Sequence, residues 1–309
     1  TLSHGSNSLG AVTITPGAPT VSADLYNNSS NGSLTLSSPV TNLTLTQPNA
    51  SLSLPDNKVT GSLTLNTQGG TSTTDTITLG AQTLSGSLDL RADSGIVPLA
   101  PASAWNVGTT ANLSNTSGLA LNNPITVGAG TTLAAGATTG DIVLSNALNS
   151  LRDVTVNTGR DVSLTSAYNA GATIILPQTG GGLRNVAITY PNASGVTLGS
   201  SGNGYWTNNP IELSGNLAVT SGGTIVANYG YWGGGQYTYN WINLTGGAST
   251  STFTTGGDIT LNHGSNSLGA VTITPGASTV SADLYNNSSN GSLTLSSPIT
   301  NLALTQPNA

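Results

Sequence analysis

The residues best suited to chemistry gather in one stretch, YGYWGGGQYTYNW, from Tyr229 to Trp241. It contains Tyr229, Tyr231, Trp232, Tyr237, Tyr239 and Trp241, and Tyr205-Trp206 stands shortly before it. Most of the chain's aromatic residues are here. Aromatic faces stack on the C–H groups of sugars, and Asn and Gln amides hydrogen-bond sugar hydroxyls. The stretch therefore suits contact with a glycan or with another fibre. A second, compatible reading stays open: a loop folded back over its surroundings, with the rings covering an exposed edge.

Other candidate chemistry is sparse. Glycoside hydrolysis needs paired carboxylates, and the 11 acidic residues are scattered. Asp89 with Asp93, and Asp153 with Asp161, are the pairs that could meet across a turn or between successive passes of the chain, as a catalytic or calcium site. Asp89 and Glu212 each sit between two apolar residues, in Leu88-Asp89-Leu90 and Ile211-Glu212-Leu213. That placement favours a solvated side chain. The Gly-rich, Asp-containing nonapeptide of calcium-binding β-rolls is absent. His4 and His263 have no second His nearby, so a surface or turn position fits them better than a metal site. No G-x-S-x-G elbow stands in a strand–turn–helix context. The triplets Gly180–Gly182 and Gly233–Gly235 precede no helix that would complete a phosphate cradle. The reading is a non-enzyme, with no catalytic residue, cofactor or metal.

Composition narrows the class further. Charged residues make up 5% of the chain, against about 25% in ordinary soluble domains. Five cationic residues and a net charge of −6 leave no basic footprint for nucleic acid. No apolar run is long enough to span a membrane. There is no Cys, which excludes disulfides and thiolate-bound zinc. The chain opens on Thr rather than Met, which is compatible with a leader removed upstream. Asn-x-Ser/Thr triplets such as Asn28-Ser29-Ser30 are expected by chance in so Asn- and Ser-rich a chain.

The elements that must position these residues are short strands. Apolar–polar–apolar units recur along the whole chain, among them Val12-Thr13-Ile14, Leu43-Thr44-Leu45, Leu63-Thr64-Leu65, Val154-Thr155-Val156, Val186-Ala187-Ile188 and Leu217-Ala218-Val219. Alternation with β-branched residues predicts strands, and the Gly, Asn, Ser and Pro around each unit supply turns. Two successive units span roughly 20 residues. Strands this short bury nothing alone, but stacked at a fixed period each covers the apolar face of the last. The expected fold is all-β: a parallel β-solenoid of roughly 20 residues per coil. Leu, Val and Ile point inward, Thr and Ser outward, and Asn stacks into hydrogen-bonded ladders at the turns. Scarce charge follows, because like charges in register would repel at every coil. Ile96–Gly108, with its two prolines and Trp105, reads as a strand interruption or packed loop.

The chain also repeats itself. Thr1–Ala50 returns as Thr260–Ala309 with four differences: Ser3/Asn262, Pro19/Ser278, Val40/Ile299 and Thr44/Ala303. The reading is one continuous solenoid over 1–309, slightly longer than one 259-residue tandem repeat, with 205–247 as an aromatic and Gly-rich excursion. Whatever follows Ala309 is then expected to resemble Ser51-Leu52-Ser53-Leu54. Roughly 13 coils per repeat would advance the chain about 60 Å.

Two stretches, GDIVLSNALNSLRDVTVNTGRDVSLTSA (Gly140–Ala167) and GGDITLNHGSNSLGAVTITPGASTVSADL (Gly256–Leu284), resemble the coils of filamentous haemagglutinin-like exoproteins. These are giant bacterial adhesins of the two-partner-secretion type. The resemblance implies a right-handed parallel β-helix and an extracellular place, at the bacterial cell surface or in biofilm matrix. It implies as partners other copies of the fibre, surface or matrix glycans, and an outer-membrane secretion partner. No segment matches the family's N-terminal secretion domain. The expected function is a stiff, fibre-forming stalk for cell–cell or cell–surface attachment. A self-assembling filament or sheath subunit is the alternative, and a β-helical polysaccharide-active enzyme is a more distant one.

Overall fold

The computed structural model describes residues 1–18, 20–136, 139–177, 182–200, 208–227, 230–232 and 236–308, without the side chains of 208, 209, 230–232 and 236–240. The chain falls into two compact units, Thr1–Leu151 and Arg152–Ala309. Both are parallel β-solenoids, and no helix occurs among the described residues. None is therefore long and apolar enough to cross a membrane.

In the first unit one ladder runs through Ser22–Tyr26, Asn42–Thr46, Leu63–Asn66, Leu88–Ala92, Ala111–Asn115 and Gly130–Ala134. Its register places Leu43 and Leu45 against Leu63 and Leu65, and these against Leu88 and Leu90. All six leucines are buried. Burying each stabilises the stack by about 1.5–3 kcal/mol. The intervening Thr44, Thr64 and Asp89 face outward, as period-2 alternation requires. Shorter ladders close the other sides, including Leu52–Leu54, Thr76–Leu79 and Gly95–Pro98. Of Ile96–Gly108, only 99–104 is a connection between the strands Gly95–Pro98 and Trp105–Val107, and Trp105 opens the second of these. Its indole is fully buried and donates from Nε1 to the Gly80 carbonyl at 3.1 Å.

The second unit repeats the plan. One ladder carries Asp153–Thr158, Gly171–Leu176, Gly195–Ser200, Thr224–Val226, Ile259–Leu261, Ser281–Tyr285 and Asn301–Thr305. Another carries Asp161–Thr165, Asn185–Tyr190, Leu217–Ser221, Thr250–Thr255, Ala270–Pro275 and Ser292–Leu295. The single Phe, Phe253, is fully buried between Val219 and Ile273 of the adjacent coils.

Coils are longer than the sequence spacing suggests, about 23 residues on average. The register Leu43↔Leu63 gives a coil of 20 residues, and Leu63↔Leu88 gives one of 25. Val196↔Ile225 gives 29, and Ile225↔Ile259 gives 34. In the 25-residue coil the extra residues sit in the turn between Leu63–Asn66 and Thr76–Leu79, where added length leaves the inward-facing register untouched. The two longest coils are those of the aromatic, Gly-rich excursion. Part of that excursion is regular: Asn208–Leu213 and Gln236–Leu244 are in-register parallel neighbours. Gly230–Trp232 pairs with Gln236–Thr238 in the one antiparallel pairing among the described residues.

The expected Asn ladders are present. The Asp161 carboxylate accepts from Asn185 Nδ2 at 3.0 Å, Asn185 Oδ1 from the Asn216 backbone at 2.9 Å, and Asn216 Oδ1 from the Thr250 backbone at 2.9 Å. The Asp161 carboxylate also accepts from the Asn185 backbone at 3.1 Å, so each rung caps a backbone N–H near the start of a strand.

Candidate functional site

Of the eight aromatic residues picked out by sequence, Tyr205, Trp206 and Tyr229 lie outside the described residues. Tyr231 and Trp232 fall in the strand Gly230–Trp232, and Tyr237 and Tyr239 in Gln236–Leu244. Their side chains lie outside the described residues as well. Trp241 is described fully, and it shows how this face is built.

Ile211, Leu213 and Ile242 are fully buried. Alternation therefore turns Pro210, Glu212 and Trp241 to the outer face, with Pro210 and Trp241 register partners. The chain returns through the turn His263–Ser267, where Ser267 bridges to Asn243. The buried Asn266 clamps this turn to the strand below. Its Oδ1 accepts from the Ile242 backbone at 2.9 Å, and its Nδ2 donates to the Leu261 carbonyl at 2.7 Å. The clamp sets the His263 ring flat on the Trp241 indole, with centroids 5.3 Å apart and planes 10° from parallel. The His263 Nδ1 accepts from the Ser265 backbone at 3.1 Å. That bond needs a bare Nδ1, so the proton of the neutral ring sits on Nε2. Burial lowers the His263 pKa and favours this neutral form.

The same turn occurs at the other copy with a different environment. His4 Nδ1 accepts from Ser6 at 3.2 Å, and Asn7 Nδ2 donates to the Leu2 carbonyl at 2.8 Å. His4 is nonetheless exposed. The fifty-residue segment specifies the turn, and the preceding coil supplies the ring that covers it. One face of the Trp241 indole is therefore covered by His263. The half-buried remainder is an aromatic patch flanked by Pro210 and Glu212 on the outer surface.

The carboxylate pairs suggested by sequence are not brought together. Asp89 is held by Arg91, through Nε at 3.0 Å and Nη2 at 2.8 Å, and by Asn112 Nδ2 at 2.8 Å. Asp161 bonds Arg184, which draws its pKa down, and Asp153 lies 3.6 Å from Arg152. Asp89, Asp153 and Asp161 are each answered by an arginine close in sequence or one coil away, whereas Asp93 is answered by none among the described residues and feels the charge of Asp75. Among the described residues no three His, Cys, Asp or Glu side chains converge as a metal site. The register instead brings Asp75 and Asp93 to one corner on consecutive coils, where burial and then the charge of Asp75 raise the Asp93 pKa. Sequence reasoning missed Asp75 because the two lie 18 positions apart and become neighbours only through the coil register.

No known family matches the chain, and no curated protein or solved structure is significantly similar to it.

Proposed function

We propose that the chain is a structural, fibre-forming segment of an extracellular bacterial adhesin or matrix protein, a stiff stalk for attachment between cells or to a surface. One observation carries this reading. The duplicated fifty residues form the same coils in both places, and each copy is bare where the other is covered. Leu43 and Leu45 are 1% and 3% exposed beneath the next coil, whereas their counterparts Leu302 and Leu304 are 44% and 38% exposed. Conversely Val271 and Ile273 are buried on the preceding coil, while Val12 and Ile14 are partly exposed.

The internal bonds of the two copies match. Asn27 Oδ1 accepts from Leu9 at 2.9 Å, as Asn286 Oδ1 does from Leu268 at 2.9 Å. Asn27 and Asn286 each donate to a glycine carbonyl at 2.8 Å, that of Gly10 and of Gly269. A segment whose shape does not depend on which side is covered suits a seam between tandem repeats. Repetition sets reach, and weak contacts at outward patches such as the Trp241 face gain strength by multiplicity. Surface or matrix glycans and other copies of the fibre are the partners this chemistry suits, and an outer-membrane partner is the route of export.

Immunogold electron microscopy of producing cells, with antibody to Thr1–Ala309, tests this. Gold along filaments outside the cell is the expected result, and label confined to the cytoplasm would overturn the proposal.

A further inference from the structure

We propose that Asp75 and Asp93 form a binding site for a calcium-sized, hard divalent cation at a corner of the first unit. Asp75 immediately precedes the strand Thr76–Leu79, and Asp93 stands between Leu88–Ala92 and Gly95–Pro98. Gly95 is the register partner of Thr76, and the Ser94 backbone donates to the Asp75 carbonyl at 2.9 Å. The two aspartates thus sit at one corner on consecutive coils, about 4.8 Å apart along the stack.

Both side chains are more than nine-tenths buried, at 8% and 7% exposed. The Oδ2 atom of each is enclosed and meets no hydrogen-bond donor among the described residues. Every other charged pair described above is answered by an arginine, and Arg91, the nearest in sequence, is committed to Asp89. Two buried carboxylates without donors or a cation are costly. Burial, reinforced by the charge of Asp75, raises the Asp93 pKa. A divalent cation between them would remove the repulsion and satisfy both oxygens.

Neutral oxygen-bearing side chains bond the backbone beside Asp93. Thr67 Oγ1 accepts from the Asp93 backbone at 3.3 Å, Gln68 Nε2 donates to the Ala92 carbonyl at 2.9 Å, and Thr116 Oγ1 donates to the Asp93 carbonyl. Hydroxyl, amide and carboxylate oxygens in flexible turns are calcium ligands, whereas magnesium requires tighter octahedral geometry. The site concerns the first unit alone and does not depend on the fibre reading.

The test is calorimetric titration of CaCl2, with MgCl2 in parallel, into the chelator-washed 309-residue chain at pH 7, together with thermal melts. One calcium per chain is expected, with Kd around 0.1–1 mM as in extracellular calcium modules, and a rise in Tm. Asp75→Asn and Asp93→Asn each weaken binding at least tenfold. Without calcium, Asp93→Asn melts no lower than the parent because it removes the like-charge repulsion, so its lost response is not unfolding. Absence of calcium-dependent heat and Tm shift in the parent overturns the proposal. Binding retained in both variants does so too.

Discussion

The imidazole of His263 lies flat on the indole of Trp241, with ring centroids 5.3 Å apart. The identical turn around His4 leaves its histidine exposed. One segment in two settings is a built-in comparison, and two of the expectations below use it.

Burial lowers the folded-state pKa of His263, so the unfolded chain takes up the proton at higher pH than the folded one. Stability from this site is complete above the unfolded value, about 6.5, and falls as pH drops through that value to the folded pKa. NMR titration of the His263 ring should give a midpoint below that of a model histidine. His263→Gln should flatten the stability profile below about pH 6.5. Trp241→Ala should raise the His263 midpoint by exposing the ring, and an unchanged midpoint would count against the stack as its cause.

Leu45 and Leu304 are the same residue of the duplicated segment, one covered and one at an open face. Leu45→Ala should destabilise the first unit by about 2–5 kcal/mol. Leu304→Ala, which removes a side chain already 38% exposed, should cost clearly less. Denaturant melts of the two variants decide this, and equal losses would mean that Leu304 is covered in solution.

Gly10 and Gly269 share a backbone φ of 63°, in the left-handed region where a Cβ is strained. A Cβ on Gly10 meets nothing within 4 Å, whereas on Gly269 it would approach the Ser249 carbonyl oxygen to 2.0 Å. Gly10→Ala should therefore cost only the strain, about 1 kcal/mol. Gly269→Ala should cost more, because backbone of the stacked coil must move. Thermal melts that rank them in the opposite order would contradict this assignment of the contact.

The strands, their inward leucines and the Asn ladders were legible in the sequence because each is local: Leu43-Thr44-Leu45 announces its own face, and Asn185 sits at its own turn. Coil length was less legible. The units Ile211-Glu212-Leu213 and Leu217-Ala218-Val219 are strands as read, but the register Val196↔Ile225 makes their coil 29 residues long, which the spacing of the units does not announce. The stack of His263 on Trp241 was out of reach, since nothing in either neighbourhood names the other; Asn266 fixes it by bonding to Ile242 across coils. Asp93 was singled out, but with Asp89 as its partner; its neighbour Asp75 was missed for the same reason. The suggested partners of Asp89 and Asp161 were displaced by Arg91 and Arg184, because a nearby cation neutralises a carboxylate more favourably than a second carboxylate does.

On the proposed function, the duplicated segment splices one repeat to the next as continuous stacked coils. Small-angle scattering decides it most directly, by comparing the 309-residue chain with a longer one in which Ser51–Ala309 follows Ala309. At about 23 residues per coil, 259 added residues form about 11 coils and should lengthen the particle by about 54 Å. The cross-section should not change. A particle that grows in girth instead, or that behaves as two bodies joined by a flexible link, would contradict it.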